Sequence, residues 1–174
     1  AGAGDKNKVE ARGVSLLGEW KASDALTFKS ITAYRAGETE GVIDFDNLPA
    51  AILDIPARYN DHQFTQEFQL LYSSDRIQGV FGLYYLNATA AGAFDTVLSQ
   101  ANLSIATAGA VDTKSYSAFA DVSYDVTDRL SISLGGRYTK DKKTGQVYRQ
   151  NFTGLKSPLF GNAAAVPGLI RSNF

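Results

Sequence analysis

"SYSAFADVSYDVTDRLSISLGGRYTKD", residues 115–141, decides how the chain folds. Every second residue gives Tyr116, Ala118, Ala120, Val122 and Tyr124, then, past a polar corner, Leu130, Ile132, Leu134, Gly136 and Tyr138. Between them stand Ser117, Phe119, Asp121 and Ser123, then Ser131, Ser133, Gly135 and Arg137. A period of two is the signature of a β-strand, because a 3.6-residue period would mix the two sets on one surface. The pair therefore reads as two antiparallel strands, each with one uncharged face that carries a tyrosine at its end. Such a face suits a protein core or a lipid phase.

Four more windows repeat the pattern. Val14, Leu16, Gly18, Trp20 and Ala22 form one set, and Leu26, Phe28, Ser30, Thr32 and Tyr34 the next. Phe64, Gln66, Phe68, Leu70 and Tyr72 follow, then Ile77, Gly79, Phe81, Leu83 and Tyr85. None of these six sets contains Asp, Glu, Lys or Arg, although 20% of the chain is charged. Glu19, Lys21, Lys29, Glu67, Asp121 and Arg137 occupy the alternate positions. Strands are thus expected near 12–23, 25–36, 63–73, 76–87, 114–126 and 129–140. Eight residue steps cover roughly 26 Å along a strand, or about 20 Å of height at a tilt near 40°, close to the apolar band of a membrane barrel.

Composition narrows the function classes. A net charge of -1 offers no electrostatic footprint for nucleic acid. With no cysteine, disulfide frameworks, thiolate zinc sites and cysteine nucleophiles are all absent. There is no run of 18 apolar residues, which excludes a spanning helix and leaves spanning strands open, since their signal is alternation over about ten residues.

The aromatic ends and the connections favour lipid over a core. Amphipathic rings prefer the headgroup level. Trp20, Tyr72 and Tyr124 would sit at one interface, and Tyr34, Tyr85, Tyr116 and Tyr138 at the other. Connections alternate between short (23–25, "SSDR" at 73–76, "DVTDR" at 125–129) and long (35–63 and 86–115). Outer-membrane barrels have short periplasmic turns and long extracellular loops. The short connections are rich in Ser, Asp and Thr, which bond to their own turn backbone.

In order and spacing, "SITAYR" at 30–35, "QEFQL" at 66–70 and the Tyr116–Tyr138 hairpin resemble the mid-barrel region of TonB-dependent outer-membrane receptors. The resemblance covers roughly residues 12–143. It implies an all-β antiparallel meander of six to seven strands, part of a 22-stranded transmembrane β-barrel in the Gram-negative cell outer membrane. It also implies import of a scarce small-molecule nutrient: siderophore-iron, cobalamin or an oligosaccharide. Energy would arrive from the TonB–ExbB–ExbD complex through an N-terminal plug domain that has no counterpart in these residues. The chain is accordingly expected to be a segment, with 1–143 as barrel and 144–174 as a long extracellular loop that leaves room for a seventh strand near "QVYRQNF".

Motifs for chemistry are sparse, so no enzyme, cofactor or metal is expected. The lone histidine, His62, reads as a solvated surface residue. Asp44 and Asp46 in "DFDNLP" have calcium-loop spacing without the Gly and distal Glu that an EF-hand needs. If the long connections form the mouth of a receptor, Asp44, Phe45, Asp46, Arg58, Tyr59 and His62 are its candidate ligand-binding residues by position. Two other readings stand beside this one: a small complete outer-membrane barrel acting as an adhesin or structural anchor, and a secreted soluble β-sandwich that binds carbohydrate.

Overall fold

A computed structural model describes residues 7–45 and 52–160. Six strands form one antiparallel sheet in sequence order: β1 (Lys8–Lys21), β2 (Leu26–Asp44), β3 (Leu53–Ser73), β4 (Ile77–Leu98), β5 (Leu103–Thr127) and β6 (Leu130–Thr153). The sole helical element among the described residues is a single 3-10 turn, Ser99–Ala101. No second layer covers the sheet among them, so the β-sandwich reading finds no partner layer here.

Register is set by the hydrophobic pattern, because a slip of one residue would move every side chain to the opposite face. Val14 stands opposite Tyr34, Tyr34 opposite Phe64, Phe68 opposite Leu83, Leu83 opposite Ala118 and Val122 opposite Leu134. The six uncharged sets therefore merge into a single continuous face. A bulge between Asp125 and Thr127 absorbs the one irregularity in the β5–β6 ladder, next to the corner.

Strand lengths depart from expectation on the side of the long connections. β2 runs on to Asp44 and β3 begins at Leu53, while β4 runs to Leu98 and β5 starts at Leu103. Most of residues 35–63 and 86–115 is thus strand rather than loop. The reason is that the uncharged face stops near Tyr34, Phe64, Tyr85 and Tyr116, but the backbone ladder does not. Beyond that level charged residues enter the uncharged parity on β2 and β3, while Ala, Gly and Thr recur in both parities of β4 and β5, and an apolar-alternation criterion loses the strand there. For the same cause "QVYRQNF" is the far end of β6 and not a seventh strand. The tip of the β4–β5 hairpin closes on Asn102, held at φ 49° with its amide donating to Ser99 O over 3.2 Å. Asparagine tolerates this left-handed conformation better than other side-chain-bearing residues.

Candidate functional site

Exposure is inverted between the two faces. On the uncharged face of the central strands, Phe68 is 40% exposed, Leu83 47% and Val122 46%. On the polar face, Ser115 and Ser117 are only 8% and 7% exposed. A soluble protein buries its apolar face and wets its polar one; this sheet does the reverse. The seven ring residues Trp20, Tyr34, Tyr72, Tyr85, Tyr116, Tyr124 and Tyr138 all share the uncharged face. Phe64, Tyr85 and Tyr116 form an aromatic row at its upper border, with centroids 6.4 Å and 5.0 Å apart. Its few polar groups satisfy one another: Thr32 Oγ1 donates to Gln66 Oε1 over 2.6 Å, and Gln66 Nε2 to Ser30 Oγ over 3.1 Å.

The polar face carries bonds both along and across its strands. Lys29 Nζ pairs with Glu19 Oε2 at 3.1 Å, and Gln69 Nε2 donates to Glu67 Oε1 over 2.6 Å. Arg137 donates from Nη2 to Ser117 Oγ (2.8 Å) and from Nε to Thr139 Oγ1 (3.1 Å), with its guanidinium over the rings of Phe119 and Tyr84. The Phe119 ring lies on Gly82 so closely that a Cβ there would enter it. Paired polar groups of this kind suit a face in contact with water or polar protein.

Past the aromatic row, the polar side of the sheet holds a hollow of about 420 Å3 between Tyr59 and Val147, also lined by Asp61, Phe94 and Thr107. Gly92 and Gly109 face each other directly and leave this space open, and the Tyr59 ring rests over Gly92. On the opposite side, residues 154–160 turn back across the β4–β5 hairpin. Ser104 Oγ donates to Gly154 O over 2.8 Å, and buried Asp95 accepts from Ser157 Oγ and from the Leu159 amide, the latter at 2.7 Å. Burial pushes the Asp95 carboxyl above its ordinary value, while its hydrogen bonds from Ser157, Leu159 and Phe160 oppose that shift.

The five candidate ligand residues that lie within the described residues do not come together. Asp44 ends β2, and Phe45 continues the ladder through its amide to Leu53 O. Asp46 lies outside the described residues. Arg58, Tyr59 and His62 are strand residues of β3, not loop residues, and they point to different sides. Arg58, ion-paired with Glu38, and exposed His62 have the parity of the uncharged face; Tyr59 alone lines the hollow. Phe94 was legible as an aromatic of a long connection, whereas Thr107 and the Gly92–Gly109 pair escaped the sequence reading. Glycines at matching steps of two neighbouring strands were the signal that marks such a gap. No group of three or more potential metal ligands occurs among the described residues.

Residues 2–166 match the family of TonB dependent receptor-like β-barrels. The chain belongs to this family. Its fold is similar to that of the ferric yersiniabactin uptake receptor FyuA from Yersinia pestis, at a TM-score of 0.69 and 20% identity, over 82% of this chain and 22% of that one. The segment thus spans about a fifth of that receptor's length. No curated protein sequence matches the chain.

Proposed function

We propose that this chain is a transmembrane segment of an outer-membrane receptor that imports a scarce nutrient with energy from the TonB system. The observation that carries the reading is the inversion of the two faces on the central strands: an uncharged surface bordered by rings lies open, while Ser115 and Ser117 on the polar side are buried. Hydrocarbon is the solvent that suits the first, and a water-filled or plugged lumen suits the second. Residues beyond the aromatic row then lie outside the cell, and the short turns at 22–25, 74–76 and 128–129 face the periplasm.

Within that frame the hollow beside Tyr59 faces the lumen near the mouth. Its ring, the Phe94 ring and the Asp61 carboxylate offer apolar contact and one anionic acceptor, in a space of a size that suits small ligands. Iron–siderophore complexes are the leading substrate class, because the structurally similar FyuA is a ferric yersiniabactin uptake receptor; cobalamin and oligosaccharides are the competing classes. The deciding experiment is uptake by cells that lack the receptor gene, tested with ferric siderophores, cobalamin and oligosaccharides, with and without a proton-gradient uncoupler. Loss of uptake of one class, reproduced by the uncoupler, is expected. Undiminished uptake of all three would remove the import reading.

A further inference from the structure

Immediately beyond the aromatic row, the parity of the uncharged face is taken over by lysines on β5 and β6. Lys114 stands directly opposite Lys142, and Lys140 directly opposite Tyr116. All three are exposed, and none enters an ion pair among the described residues. Like charges facing each other across a ladder repel, so strand pairing alone disfavours this arrangement. The nearest carboxylate of the same parity, Asp112, stands opposite Thr144 and accepts from Thr89 Oγ1 over 2.7 Å. On β1–β3 the first outward step beyond Tyr34 holds a single charge, Arg12, opposite Ala36, and farther out Glu10 and Glu38 offset Lys8 and Arg58 through ion pairs. Three neighbouring unpaired cations are thus gathered on the β5–β6 hairpin, against one at that level on β1–β3.

We propose that Lys114, Lys140 and Lys142 bind the phosphate groups of an anionic lipid in the outer leaflet. The inference rests on the bilayer-facing reading of the uncharged face. Lys140 follows Tyr138 by one outward step, and Lys114 precedes Tyr116 by one. Two residues of a tilted strand rise about 5 Å, which puts the ammoniums at phosphate depth when the rings lie at the headgroup level. Lysine stems lie along apolar surface while their heads reach upward, and an ammonium is a point-charge partner for phosphate. Three cations in adjoining positions fit a glycolipid that carries more than one phosphate monoester. A zwitterionic phospholipid, which brings its own cation, fits them less well.

The test uses the full-length receptor in vesicles of phosphatidylcholine with and without a minor fraction of bisphosphorylated lipid A. Lipid A retained per protein after detergent extraction is measured by mass spectrometry, and folding by the mobility of unheated protein on gels. The Lys114→Gln, Lys140→Gln, Lys142→Gln triple variant is expected to fold and to retain far less lipid A, by roughly fivefold for each lysine removed. The corresponding triple arginine variant should retain it. Retention by the glutamine variant equal to wild type overturns the proposal, as does complete displacement of lipid A by inorganic phosphate at matched phosphate concentration, which would mark a site for free anions. Failure of wild type to insert into pure phosphatidylcholine would instead sink the bilayer-facing reading.

Discussion

At the scale of single residues, the exposed leucines and the buried aspartate make opposite demands on their surroundings. Leu134 and Val122 face each other near the middle of the uncharged band. Arginine at either position is expected to cost about 2–4 kcal/mol of folding stability in a bilayer, measured by denaturant unfolding in vesicles. Ser133→Arg, on the polar face, should cost much less; equal costs at 133 and 134 would refute the assignment of faces. Asp95 makes a pH prediction. Its carboxyl is raised above 3.8 chiefly by burial, so the folded state binds that proton more tightly than the unfolded chain does. The stability contributed by the neutral carboxyl is full below pH 3.8 and falls as pH rises through the raised value, because burial disfavours ionisation by more than the hydrogen bonds from Ser157, Leu159 and Phe160 favour it. Folding stability, measured by denaturant unfolding in vesicles, should decline over that interval, and Asp95→Asn should abolish that part of the decline.

At the scale of elements, close approach between strands is governed by glycines. Phe119 occupies the space above Gly82, and Arg137 lies over the same ring at 5.6 Å from its centroid. Gly82→Val is therefore expected to cost about 1–3 kcal/mol through overpacking. Phe119→Ala should absorb much of that cost, so that the double variant is less than additive in a mutant cycle. Strict additivity would show that the ring and the glycine do not share the space. The strands themselves were legible wherever apolar and polar residues alternate, because that pattern fixes register as well as element type. Their outer halves were not. Glu38, Arg58 and His62 break the apolar alternation while their backbones continue the ladder, and side-chain pattern carries no record of backbone pairing. The hollow stayed hidden for a related reason: Tyr59 was visible as an aromatic, but its neighbours Phe94 and Val147 come from strands far away in the chain, and only register brings them together.

At the scale of the whole molecule, the sheet presents two outer edges, one on β1 and one on β6. Unpaired donors and acceptors along a strand seek another strand, and barrels remove them by closure. The 174-residue chain refolded alone in detergent is expected to associate edge to edge, giving oligomers in size-exclusion chromatography with light scattering, whereas the full-length receptor should be free of such association. A well-folded monomer of the isolated chain would mean that its edges are protected in some other way. The broad class of the fold followed from the sequence because six uncharged sets could be read independently and agreed. The distal closure by residues 154–160 did not, since it depends on one buried carboxylate meeting a hydroxyl and an amide far along the chain.

Alternation has a consequence for the journey as well as the destination. Greasy side chains separated by polar ones make no contiguous oily stretch in a slack polypeptide; the slick surface comes into being only when neighbouring segments straighten and align. A translocation channel that sorts by uninterrupted hydrophobic runs would let such a chain pass into the periplasm, where premature pairing would expose that surface to water. Safe delivery thus calls for an escort that grips the polypeptide before it zips together and lets go at the target bilayer.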